Sequence, residues 1–170
     1  MNIAGDFDAK KTLEVLLYIA HRCPDMYTAL KVLFYADKAH LARYGRLVSN
    51  DRYKMMEHGP VPSGAYDLVK DVRDLRAPSR RIVPQGAFHM NRNLIVPDRH
   101  PDLDALSESD VECLDGAIAE YGGKTFNQLK KLSHDDPAAA GVPENEFITL
   151  EGFVKSVPDG EKLWSYLTSE

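Results

Sequence analysis

Cysteine is scarce in this chain: Cys23 and Cys113 are the only two in 170 residues. Two isolated thiols make neither a disulfide framework nor a thiolate metal cluster, and they read as inert buried groups. No apolar run approaches the roughly 18 residues of a membrane-spanning helix. The opening residues, MNIAGDFDAKK, lack a basic stretch followed by an apolar one, so no signal peptide is expected. The chain therefore reads as cytoplasmic. It also lacks internal repeats, low-complexity tracts, a GxSxG elbow and an HExxH zinc motif, and nothing argues for nucleophilic catalysis. Gly122-Gly123-Lys124-Thr125 resembles the end of a phosphate-binding loop, but that motif needs a glycine at 118, where Ile118 stands. What precedes it reads as a helix rather than a strand, so the loop is rejected.

What is present is an ordinary globular composition, 44% hydrophobic and 28% charged, with enough material for one core. The expectation is a single domain over 1–170, mainly α, with a small β-hairpin or short sheet. Net charge is −5 but uneven. Between Arg73 and Arg99, six arginines (73, 76, 80, 81, 92 and 99) meet Asp74 and Asp98. That window carries +4 and leaves −9 for the rest. It reads as a solvated face, or as a patch for an acidic partner or phosphates.

Residues 9–23 read as a first helix, with Leu13, Leu16, Leu17 and Ala20 on one face, stopped by Pro24-Asp25. A second helix is expected over 26–44, closed by Gly45 as the residue after the helix end. After the third helix, Ala87–Met90 and Leu94–Val96 flank Asn91-Arg92-Asn93 as a hairpin, to which Ile82 and Val83 could add. Ser107 with Asp110, and Thr125 with Gln128, have capping-box spacing. They predict helices running to Tyr121 and over 126–134. Residues 135–146 read as loop, and 149–155 and 160–168 as short closing helices.

The stretch from Lys31 to Tyr66 is the least ordinary. Met26, Leu30, Leu33, Phe34, Asp37, Leu41 and Tyr44 share one helix face at about 100° per residue. A carboxylate inside that stripe must be paired, hydrogen-bonded or facing a cleft, since an unpaired buried charge costs roughly several kcal/mol. Next comes His58-Gly59-Pro60-Val61-Pro62-Ser63. Two prolines fix two φ angles and push the residues before them to extended backbone. This predicts a stiff turn, with Ser63 capping a third helix over 64–75. Asp37, Tyr53, His58, Tyr66 and His134 are expected to form a polar cluster holding that turn against the second helix. Asp37 and His40 have i,i+3 spacing, but without a completing ligand set no metal site is expected.

The blocks Lys31-Val32-Leu33-Phe34-Tyr35-Ala36-Asp37-Lys38, Gly59-Pro60-Val61-Pro62 and Leu132-Ser133-His134, in that order, resemble the Panacea domain of SocA-like antitoxins. The likeness covers most of 10–135. After His134 the chain departs from the family pattern, reading Asp135-Asp136-Pro137-Ala138-Ala139-Ala140, and 136–170 is divergent. The resemblance implies an antitoxin that neutralises a cognate toxin by direct protein contact, by occlusion or as an adaptor to an energy-dependent protease. It implies no enzyme activity and no cofactor. Tyr35, His40, His58, Gly59, Pro60, Val61, Pro62 and Tyr66 are the candidate contact surface, with Arg80, Arg81 and Arg92 as a second patch, since Tyr and Arg are favoured at interface hot spots. The rival readings are a nucleic-acid-binding or regulatory module using 73–99, and a metal-dependent hydrolase. Neither a membrane partner nor broad nucleic-acid binding is expected of this acidic chain.

Overall fold

The structure is a computed structural model that describes residues 5–74, 83–84 and 86–169. Its elements are α1 (Ala9–Ala20), α2 (Met26–Tyr44), β1 (Tyr53–Met56), β2 (Gly59–Pro62), α3 (Ser63–Arg73), β3 (Phe88–Asn91), β4 (Leu94–Pro97), α4 (Glu108–Tyr121), α5 (Phe126–His134), α6 (Leu150–Lys155) and α7 (Gly160–Thr168). The architecture is mostly helical, with two small antiparallel sheets of two strands each.

Local chemistry sets most helix ends. Asp8 and Asp25 cap α1 and α2 by accepting from Lys11 N and Thr28 N. Gly45 ends α2 at φ 72°, a left-handed value that favours glycine. Ser107–Asp110 and Thr125–Gln128 form both reciprocal capping boxes, so α4 and α5 start where their spacing predicts.

The core gathers around α2. Every residue from Ala29 to Asp37 is buried, because α1, α3, α4, α5 and β2 all contact this helix. Phe34 sits at its centre, edge-on to Tyr53 and Phe153. One buried carboxylate ties α4 to α1 and to a residue just past the end of α2. Asp110 is enclosed and meets Lys11 of α1 at 2.8 Å and Arg46 at 3.1 Å. Among the described residues no helix is long and apolar enough to cross a membrane.

Several expectations change. The first helix ends at Ala20, three residues early, because Arg22 N and Cys23 N turn back onto Ile19 O. Gly59-Pro60-Val61-Pro62 is a strand rather than a turn: it pairs with β1, Tyr53 opposite Pro62 and Met56 opposite Gly59. Glu57 and His58 make the actual turn. Ser63 opens α3 but does not cap it. The cap is supplied from a distance by Asp51, whose carboxylate accepts from Gly64 N and Ala65 N at 2.8 Å each. The 88–97 hairpin forms as expected, but Arg92, not an asparagine, takes the left-handed position at φ 56°. The loop over 135–146 contains a 3-10 turn at Pro137–Ala139, and its end runs along β1, where Asn145 N donates to Met55 O and Met55 N to Glu146 O. Leu75 and Ile82 lie outside the described residues. Val83 is buried but joins no strand.

Candidate functional site

The β1–β2 hairpin lies between α2 and α5, and three side chains grip its backbone at the turn end. The Lys31 ammonium donates to Pro60 O at 2.7 Å. The Tyr27 hydroxyl donates to His58 O at 2.8 Å, and His134 Nε2 donates to Glu57 O at 3.1 Å. Proline explains the need for such anchors: it has no N–H and so gives β2 fewer backbone bonds.

Lys31 is the unexpected member. It is 1% exposed, sits 5.1 Å from the Tyr27 ring centre, and among the described residues has no carboxylate partner. Burial alone pushes its ammonium down to about 7. Gly59 fits beside it at φ 105°. A Cβ there would come within 2.5 Å of Ser133 Oγ and 2.9 Å of Lys31 Nζ, so the strand can approach α2 and α5 only as glycine.

At the tip, three rings meet. Tyr27 and Phe126 lie 4.4 Å apart between ring centres, and His58 stands edge-on to Phe126 at 5.1 Å. Phe126 is 44% exposed, and the His58 side chain is 41% exposed. His58 Nδ1, on the inner side of that ring, has no partner among the described residues. Lys130, Lys131 and His134 line a shallow depression beside the tip with Glu57 and Asn127. The tip is thus an aromatic cluster with charged neighbours of both signs, Lys131 among them paired with Asp135 at 2.9 Å.

At the other end of the hairpin, Asp37 is fully buried and accepts four bonds. They come from Val48 N at 2.7 Å, Ser49 N at 3.2 Å, Ser49 Oγ at 2.7 Å and the Tyr53 hydroxyl at 2.6 Å. Burial lifts its carboxyl to about 6, against the opposing pull of these donors. Burial first, and the neighbouring Asp37 next, push the Tyr53 phenol well above its ordinary range.

The five expected cluster residues therefore separate. Asp37 and Tyr53 meet, whereas His58 and His134 sit at the turn, beyond the far end of β1 from Tyr53. Tyr66, half-buried on α3, pairs with Lys70 instead, whose ammonium lies 4.7 Å from its ring centre. The candidate contact residues separate too. His40 is fully buried, its ring bonded to Arg46 O at 2.8 Å and Ser109 Oγ at 2.9 Å. Tyr35 is 9% exposed and stacked 3.7 Å from Tyr121. Gly59, Pro60 and Pro62 are buried. These five have almost no surface to offer a partner. His58, Val61 and Tyr66 are partly exposed, and Arg92 is exposed on the other hairpin. Arg76, Arg80 and Arg81 lie outside the described residues. Of the other arginines in that window, Arg73 pairs with Asp74 and Arg99 with Glu14.

Sequence reasoning passed over Lys31, Tyr27, Asp51 and Phe126. Lys31 left a signal: its i±3 and i±4 neighbours, Tyr27, Thr28, Phe34 and Tyr35, carry no charge to pair with it. Among the described residues no three or more of His, Cys, Asp and Glu converge to hold a metal ion. Asp37 and His40 each spend their polar atoms elsewhere.

A family model described as "Antitoxin SocA-like, Panacea domain" matches residues 30–139. That range runs from α2 through the 3-10 turn after α5, and so contains Lys31, Asp37, the whole hairpin and His134. No curated protein and no solved structure matches the chain.

Proposed function

The chain belongs to the SocA-like antitoxin family defined by the Panacea domain, and on that premise we propose that it neutralises a cognate toxin by direct contact through the tip of the β1–β2 hairpin. The observation that supports this reading is the partly exposed cluster of Tyr27, His58 and Phe126 on a hairpin held by Lys31, Tyr27 and His134. Rigid aromatic groups with little conformational freedom left to lose are what hot spots use. The role is binding rather than catalysis.

The test is co-expression with the product of the adjacent open reading frame. The wild-type chain rescues growth, and the double variant H58A/F126A, whose side chains are both partly exposed, folds but fails to rescue. Full rescue by that variant overturns the placement. A neighbour that is harmless when expressed alone overturns the toxin reading. Toxin half-life separates the two family routes: shortening on co-expression marks delivery to an energy-dependent protease, and an unchanged half-life marks occlusion.

A further inference from the structure

A second concavity lies at the opposite end of the hairpin from the tip. It is a cavity of about 540 Å3 between the N-terminal segment, the residues entering β1 and the start of α6. That volume falls in the roughly 300–1,000 Å3 of small-ligand sites. Phe7, Tyr53, Phe147 and Phe153 give it aromatic walls, and Phe7 and Phe147 remain 37% and 38% exposed.

Its polar equipment is specific. The Arg52 guanidinium lies 4.0 Å over the centre of the Phe147 ring. Among the described residues it meets no carboxylate. Its neighbour Asp51 is spent on the backbone N–H groups of Arg52, Gly64 and Ala65. Stacking uses the face of a guanidinium and leaves its N–H donors available, so Arg52 is oriented without being consumed. Asp6 is the other carboxylate on the lining, and it is exposed to water, where its repulsion of an anion is screened.

We infer that this cavity binds a carboxylate carried on an aromatic or apolar body. The body lies among Phe7, Tyr53, Phe147 and Phe153, and Arg52 takes the carboxylate through paired N–H donors. Two sources present this chemistry: a free organic acid, and the C-terminal carboxylate of a polypeptide ending in an apolar residue. Tyr53 lines the cavity and also donates to Asp37, so an occupant bears on the base of the hairpin.

The experiment is calorimetric titration of the full chain with 4-phenylbutyrate, its amide, and the tripeptide Ala-Leu-Phe with a free or an amidated C-terminus. At least one free acid binds, and the matching amide binds at least tenfold more weakly. Arg52→Gln weakens the acid by a similar factor while its melting temperature stays unchanged. Phe147→Ala, which removes the platform under Arg52, also weakens it and supplies the test should the Arg52 variant not fold. A tripeptide acid tenfold tighter than phenylbutyrate identifies a chain terminus as the source, and the reverse order identifies a small acid. Binding of neither acid, equal binding of acid and amide, or affinity unchanged in both variants overturns the inference.

Discussion

Lys31 and Asp37 are opposite charges, both buried, six residues apart on the same helix, and they do not pair with each other. Along the helix axis they are about 9 Å apart. Lys31 holds Pro60 O near the turn of the hairpin, and Asp37 holds Tyr53 at its base. One helix thus grips both ends of one hairpin with two different charges.

Truncating the first of these grips removes a buried side chain and orphans a carbonyl. Lys31→Ala is expected to cost about 3 kcal/mol, combining an unsatisfied buried acceptor with a cavity. Urea unfolding followed by circular dichroism reads this directly. A midpoint equal to wild type would show that Pro60 O finds water instead.

The Lys31 ammonium titrates near 7 in the folded chain and near 10.5 in the unfolded one. Between those values the unfolded state binds more protons, so this group's contribution to stability rises with pH from about 7 to about 10.5 and is lost as pH falls through 7. Unfolding free energies of wild type and Lys31→Met, measured at pH 6.5 and 9.5, isolate the group. Wild type gains on the variant at the higher pH. A constant difference between the two proteins would mean that Lys31 stays charged throughout.

Asp37 has the opposite slope in a lower window. Its folded value near 6 lies above its ordinary 3.8, so its contribution is full below 3.8 and is lost as pH rises through 6. Asp37→Ala leaves Val48 N, Ser49 N, Ser49 Oγ and the Tyr53 hydroxyl without an acceptor, and is expected to destabilise by about 3–5 kcal/mol. Asp37→Asn keeps one acceptor oxygen and should lose less. Thermal melts that rank Asn below Ala would contradict the hydrogen-bond account.

Gly59→Ala meets three obstacles, a left-handed φ, a Cβ within 2.5 Å of Ser133 Oγ and the same Cβ within 2.9 Å of Lys31 Nζ. A loss of about 2 kcal/mol or more is expected. The double variant with Ser133→Ala should recover part of it, since the hydroxyl is gone while the φ strain and the approach to Lys31 Nζ remain. Full recovery in a denaturant melt would assign the whole cost to the Ser133 hydroxyl.

Much of the fold was legible because its signals are local. Ser107–Asp110 and Thr125–Gln128 satisfy backbone donors three residues away, so spacing alone located α4 and α5. Gly45 acted likewise, closing α2 with a left-handed φ. The GPVP strand was not legible, since proline chemistry reads the same in a stiff turn and in a strand, and only pairing with Tyr53–Met56 decides. The cap of α3 was missed because Asp51 reaches it from twelve or more residues upstream, not from position 63.

Sequence by itself determined that Asp37 had to be satisfied, that the GPVP segment had to be stiff, and which family motifs the chain carries. These follow from charge, ring closure and residue order, which hold in any fold. Only the tertiary structure decided that Lys31 is the second grip on the hairpin. It also decided that His40 and Tyr35 are enclosed, and that Tyr27, His58 and Phe126 meet at its tip. Burial and contact across 30 to 100 residues of chain depend on how elements pack, and helical periodicity constrains only neighbours a few residues apart.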